Sequence, residues 1–556
     1  MNAKCYRTVF NGMRGILVAV EESTNTGKGR NSGSRTSRST SALTLTTLAA
    51  LAAPSLNAQS PTLDRSVPGS HPVVGVAANG APVLNINAPS AGGVSSSSFT
   101  NYNVGPASVV LNNSGQNSQT RIVGWVQGNP FLGNNAARVI LSQVTSGNPS
   151  MLAGPTEIAG NQASLIVADP AGITCAGCSF IQAPRVTLLT TGTPNCDALA
   201  NISSISVQQG QITINGAGLD AHGAQLDLLS RAMAINGQVW GEHINAVAGA
   251  NSVDYGSVTP NAIAGIGPAP HVAIDVGQLG SMYGGGATRL IGTEAGLGVN
   301  IGGNLAKLTG SLNLAANGDV TITPTGRVQS AADATLPAPN VNNQGVIPGA
   351  GNVSVSGSTT KSGTLGAGAN ATVSGPQIAN TGTIGAGVNG HSNLGSVALN
   401  VLDVVRNSGS VLASQAIGVT AASIDASNGN LSAQGGLTLS ATGDVSTRNA
   451  TFSGSGVIVQ AGCTLDNTAG KLLSTGNAQV NARHVVNQGG LLASNGDTTI
   501  TNRCLLAENL MYRLKTLTDP RLWARETGSQ ATEVSIRAGV LNRMAALARP
   551  QSARIA

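Results

Sequence analysis

The chain has 556 residues, of which 9% are charged and 2% aromatic, and it carries 73 glycines. So little aromatic bulk argues against an ordinary enzyme core, and so little charge argues against a disordered chain; many short strands and turns in a repetitive β-fold fit best. The formal net charge of +6 sits at the ends, because residues 41–502 hold thirteen Lys/Arg against seventeen acids, so the body lacks a basic footprint and nucleic acid is set aside as a partner.

The chain opens on a targeting segment. The apolar run Leu43, Leu45, Leu48, Ala49, Ala50, Leu51, Ala52 and Ala53 follows Arg30, Arg35 and Arg38. This is a basic region and a short apolar region, too short to span a bilayer permanently. Cleavage is expected after Ala58, before Gln59, giving a signal region over 1–58. Upstream lie Met1-Asn2-Ala3-Lys4, Tyr6-Arg7, Val9-Phe10-Asn11, Arg14-Gly15 and Ala19-Val20-Glu21. Together these resemble the extended signal peptide region of large Gram-negative type V exoproteins, which implies tuned export across the inner membrane. An amphipathic helix is compatible with the same stretch.

After a Pro-rich lead-in to about His71, strand-like runs begin at Pro82–Ile86, Ala107–Asn113, Arg121–Val126, Ala137–Val144 and Leu165–Val167. Two runs end in turn chemistry, at Asn129-Pro130-Phe131-Leu132 and Asp169-Pro170-Ala171-Gly172-Ile173. Proline cannot donate to a central ladder, so each Asn/Asp-Pro is expected at a corner. Further strands are expected at Ile205–Val207, Gln211–Asn215 and Ile235–Trp240, while Leu226–Ala234 reads as a short helix or as a strand.

These motifs resemble the N-terminal secretion domain of the filamentous-haemagglutinin type of exoprotein, over about 59–300. That family carries Asn-Pro-Asn-Leu and Asn-Pro-Asn-Gly-Ile, and this chain departs at Phe131, Asp169 and Ala171. The resemblance implies an all-β, right-handed parallel β-helix and a dedicated outer-membrane transporter of two-partner secretion. It further implies a secreted or cell-surface location in a Gram-negative bacterium, reached through the periplasm. Family members run far longer, which implies a rod cut short.

Six cysteines are present, and five remain after cleavage, so at least one is unpaired within the chain. Cys175 and Cys178 can close a turn disulfide or remain buried thiols, and Cys196 is placed about one coil later if a coil takes ~20 residues. A zinc site lacks a fourth ligand, His222 being the nearest histidine.

Beyond residue 300, Asn followed within three residues by Gly recurs at Asn343, Asn380, Asn407, Asn428, Asn467 and Asn487. A second element, Asn317-Gly318-Asp319-Val320, returns at Thr442-Gly443-Asp444-Val445 and Asn495-Gly496-Asp497-Thr498. A period of ~20 residues predicts β-helix coils over 301–502, with Asn stacked along a corner. The last stretch, 503–556, is basic and reads as helical, either a cap or the end of a shortened rod.

No two of the seventeen acids in 41–502 lie within three residues of each other, and His243 and His391 have no triad or metal partner in sequence. No enzyme activity, cofactor or metal is therefore expected. Gly284-Gly285-Gly286 follows no strand leading into a helix, so it is no phosphate cradle. Two functions are compatible with such a rod: an adhesin that grips a host or bacterial cell-surface receptor, or the stalk of a contact-dependent growth inhibition toxin.

Overall fold

The computed structural model describes residues 60–502 other than 70, 192–193, 199, 308 and 388–393, together with the strands Tyr6–Asn11 and Ile16–Glu21. In the first unit, Met1–Ser55, these two strands pair antiparallel, so this part is a hairpin and not a helix. The expected cleavage point at Ala58 and Gln59, the apolar run before it, His391 and the tail 503–556 lie outside the described residues.

The second unit is a right-handed parallel β-helix with three columns of strands. Its longest column stacks seventeen strands in parallel register, from Val94–Asn101 to Thr498–Asn502. In its last part Val397, Ile417, Leu437, Val457, Ala478 and Thr498 stand in register, at steps of 20, 20, 20, 21 and 20 residues. Along each strand apolar side chains alternate inward, as in Gly436–Ala441, where Leu437, Leu439 and Ala441 are buried and Thr438 and Ser440 face outward. The inward residues form one core running from Leu84 to Ala482. Each coil buries its apolar side chains against its neighbours, so stability accumulates coil by coil.

Leu226 and Leu228 belong to this core on the strand Leu219–Ser230, which settles the helix-or-strand alternative as strand. The step from Asn380 to Asn407 is long because of an insertion before Val397, visible as the 26-residue step from Ala371 to Val397.

The Asn corner is real: five of the six expected Asn stand in one column, with Lys361, Ala426 and Thr447 filling the coils between them. Asn343, Lys361, Asn380 and Asn407 stand in register, and Ala426, Thr447, Asn467 and Asn487 continue the column. Asn380 Nδ2 donates to Asn407 Oδ1 at 2.6 Å, and Asn467 Nδ2 to Asn487 Oδ1 at 2.6 Å. Asn428 is not a rung: it lies two residues past Ala426, at φ 62°. The second element also divides. Asp319 and Asp444 each precede a strand of one column, Val320–Ile322 and Val445–Ser446, whereas Asp497 precedes Thr498–Asn502 of another.

Three steps of the long column are about double length: Val94 to Val139, Val186 to Leu226 and Ile244 to Thr288, at 45, 40 and 44 residues. The extra residues leave the coil. The first excursion forms a hairpin, Ser118–Thr120 with Gly124–Val126. The predicted strand at Arg121–Val126 thus lies beside the helix, packing Val126 on Val110 and Ala159. The other two build a four-stranded antiparallel sheet from Asn195–Cys196, Ile202–Val207, Asn251–Asp254 and Pro260–Ala262. Ile205, Val207 and Val253 of this sheet cover Ile166, Leu189, Leu229 and Val247 on the outside of the coil. Arg231 fastens the loop beyond it, with Nε and Nη2 donating to the Glu294 carboxylate and Nη1 to the Ile266 carbonyl.

Candidate functional site at the two Pro corners

The two motifs occupy corners of the N-terminal coils and share one geometry. At the first, Asn129 Oδ1 accepts from the Phe131 N–H at 3.0 Å, and the Leu132 N–H donates to the Asn129 carbonyl at 3.3 Å. At the second, Asp169 Oδ1 accepts from the Ala171 N–H at 2.9 Å, and the Gly172 N–H donates to the Asp169 carbonyl at 3.1 Å. In each case the side chain mimics a backbone turn and Pro presets the next φ. Gly172 has φ +125°, and a Cβ there would meet the Gln211 carbonyl at 2.9 Å, so glycine is required. Ile173 follows it into the core, in register with Ser150 and Ile212. Pro130 and Phe131 face solvent, Phe131 being 42% exposed, while Leu132 is buried. Pro170 and Ala171 are half-buried.

The other half of each side chain separates the two corners. Asn129 Nδ2 donates to the carbonyls of Ile86 and Asn112, at 2.9 and 3.0 Å. Asp169 Oδ2 instead accepts from the Ser150 hydroxyl at 2.6 Å. Position 129 thus needs an amide, whereas 169 is suited by either an amide or an acid, because a hydroxyl can donate or accept. This explains how the chain carries Asp at 169. Burial pushes the Asp169 carboxyl above its usual range. Its raised folded value means that the ionised form opposes folding, so this contribution falls as pH rises from the unfolded value of 3.8 through the folded one. Asp169→Asn is therefore expected to match or exceed the natural chain in denaturation midpoint at pH 7, by on the order of 1 kcal/mol; a clear loss of stability would refute the geometry.

The strand after the second motif ends at Cys175, and Ala176-Gly177 turn the chain into Cys178. Cys175 and Cys178 are both buried and form a disulfide with Cα atoms 5.5 Å apart, locking this corner. Cys196 is not stacked on them. It is exposed on the antiparallel sheet, because residues after Leu189 leave the coil; Ile214 and Leu219 take the next rung above Cys175 and Cys178.

Sequence reasoning missed Glu157. It is fully buried, and its two carboxylate oxygens accept from the N–H groups of Arg121 and Ile122 at 2.7 and 2.8 Å, holding the side hairpin on the coil. Nothing local signals this, since its partners lie 36 and 35 residues away. Some of the scattered acids bond to the next coil, Asp319 Oδ1 accepting from Asn340 Nδ2 and Asp444 Oδ1 from the Thr464 N–H, while others hold their own turn, Asp254 accepting from Ser257 and Asp425 from Ser427. His243 Nδ1 accepts from the Ala287 N–H at 2.8 Å. Among the described residues no group of three His, Cys, Asp or Glu side chains is placed to hold a metal ion.

Both corners, the disulfide and the side hairpin fall within residues 59–322, which match the family described as the TPS secretion domain. The chain belongs to the exoproteins of two-partner secretion. Residues 1–52 match the extended signal peptide of the type V secretion system. A protein exported in this way crosses the periplasm of a Gram-negative cell and leaves through a partner transporter in the outer membrane, to be secreted or held at the cell surface. The match ends 22 residues beyond the boundary expected at 300.

Among curated proteins, the chain is 39% identical over 365 residues to a protein named toxin CdiA of Yersinia pestis, covering 63% of this chain and 11% of the relative. It is 41% identical over 333 residues to tRNA nuclease CdiA-2 of Burkholderia pseudomallei, covering 57% and 10%. The chain thus spans about a tenth of the length of these relatives. Among solved structures it is similar to the filamentous hemagglutinin secretion domain, at 30% identity and a TM-score of 0.42, covering 62% of this chain and 99% of that one.

Proposed function

We propose that this chain is the export module and stalk of a surface-displayed exoprotein that acts on neighbouring cells, as the N-terminal segment of a contact-dependent toxin. The observation that carries this reading is the 39–41% identity, over 365 and 333 residues, to proteins named as a toxin and a tRNA nuclease. The rod would act by reach and display, not by catalysis; the Asp319 and Asp444 carboxylates each accept a hydrogen bond from the next coil. The adhesin reading shares the same export route and requires a host or bacterial receptor for the rod itself.

The test is a co-culture. Cells displaying the exoprotein that carries this chain as its N-terminal segment are expected to lower the count of target cells only in contact, and deleting the partner transporter should abolish both surface display and this effect. Adherence without growth loss would favour the adhesin. Surface display unchanged without the transporter would overturn the export assignment.

A further inference from the structure

The outer face of the β-helix carries a short aromatic ladder. His222 stacks on Trp240 with ring centroids 4.8 Å apart and planes at 22°, and Trp240 stacks on Tyr283 at 4.2 Å and 20°. Trp240 and Tyr283 stand in register on successive coils, and the same register continues to Ala306 and Gln329. The ladder therefore loses its ring at Ala306. A methyl group there leaves the second face of Tyr283 uncovered, and the next side chain along the column is the Gln329 amide. Two strand spacings separate Tyr283 from Gln329, roughly 9.6 Å, which is the room one saturated six-membered ring takes between two contact surfaces.

The walls of this notch are polar. Two residues earlier on the same strands, and so on the same outward face, Asn304 and Arg327 stand in register. Asn304 Oδ1 has no hydrogen-bond partner among the described residues, although it is shielded from solvent. Arg327 is exposed and its Nε donates to Gln329 Oε1 at 3.0 Å, which fixes the amide and leaves the other guanidinium N–H groups turned to the surface. Among the described residues Arg327 has no carboxylate partner.

An aromatic face, a methyl floor, the Gln329 amide and a guanidinium without a carboxylate partner match the chemistry of a sugar ring that bears an acid. The apolar C–H face of a pyranose packs on an aromatic ring, its hydroxyls pair with amides, and a carboxylate pairs with guanidinium. We propose that Tyr283, Ala306, Gln329 and Arg327 form a subsite for a hexuronate residue of a surface polysaccharide. The site goes beyond the stalk reading, since it gives the rod a glycan contact of its own at the end of the secretion domain.

The discriminating variant is Ala306→Tyr, which extends the ladder by one ring and fills the notch without removing any existing contact. Binding of the secreted full chain to an immobilised hexuronate oligosaccharide, and to its neutral hexose counterpart, is measured beside thermal unfolding. The natural chain is expected to bind the hexuronate oligosaccharide at least tenfold better than the neutral one. Ala306→Tyr should weaken that binding at least tenfold with unfolding unchanged or raised. Arg327→Gln should remove the preference for the acidic sugar. Failure of the natural chain to bind either sugar, or undiminished binding by Ala306→Tyr, would overturn the proposal and leave the ladder a stabiliser of neighbouring coils. Neither result bears on the export route or on co-culture killing.

Discussion

Asn129→Asp is expected to be among the most damaging single-atom changes in the secretion domain, costing about 3–5 kcal/mol at pH 7. The side chain is 1% exposed, and its Nδ2 is the donor for two carbonyls, those of Ile86 and Asn112. Aspartate would place a carboxylate oxygen against both, losing two hydrogen bonds and burying an uncompensated charge. The Oδ1 contact to the Phe131 N–H would survive, so the turn itself would still be specified. Burial beside carbonyls would raise the new carboxyl's folded pKa above its unfolded value. The defect should therefore be complete at neutral pH and shrink as pH falls, since the protonated acid can donate to one carbonyl. Limited proteolysis or amide exchange of residues 82–132 at pH 5 and pH 8 would show this. Equal protection in the variant and the natural chain at pH 8 would refute the assignment of Nδ2 to those carbonyls. The contrast with Asp169→Asn is the sharper point: the two motifs look alike in sequence, yet only the second tolerates exchange between Asn and Asp.

The same pair shows how much of the fold could be read in the residues. The corners were legible because Asn/Asp-Pro restricts both backbone and side chain locally, and the observed turns use those local bonds. The coil period was legible because a buried corner needs a polar side chain that bonds along the stack, and Asn380–Asn407 and Asn467–Asn487 do so. What could not be read were the departures from the coil. Trp125 is 72% exposed on a side hairpin, and Cys196 lies on an outer sheet. The strands that carry them are three and two residues long, too short to show a period, and only the pairing partner sets them apart from the coil. Glu157 was hidden for a related reason, since its worth lies in two N–H groups brought to it by the excursion of the chain. A pattern of Asn alone does not reveal Lys361; its signal is its place one coil, 18 residues, after Asn343.

Lys361 is where the second large effect is expected. It takes an Asn position in the buried corner and is 1% exposed, with Nζ donating to the Gly363 carbonyl and to Asn380 Oδ1 and no carboxylate bonded to it among the described residues. Two neighbouring groups record the interruption: Asn343 Oδ1 is buried without a hydrogen-bond partner, and Asn380 receives an ammonium where Asn407 receives an amide. Burial brings the lysine down to about 7, from 10.5. The unfolded chain then binds more protons than the folded one between these values, so stability rises with pH across that window, and below about 7 the penalty is complete. Lys361→Asn should thus stabilise the rod most at pH 6 and least near pH 10, by about 2–4 kcal/mol at the acidic end. The Asn side chain would also offer Asn343 and Asn380 the kind of amide partner found in the Asn380–Asn407 and Asn467–Asn487 pairs. Because each coil leans mainly on its neighbours, the gain should appear locally, as slower amide exchange in residues 343–410, more than as a uniform shift. Denaturant midpoints of the variant that stay parallel to those of the natural chain from pH 6 to pH 10 would refute a titrating lysine in the corner. A lysine retained there at this energetic cost makes the 343–380 coils the place where the rod is expected to open first under mildly acidic conditions.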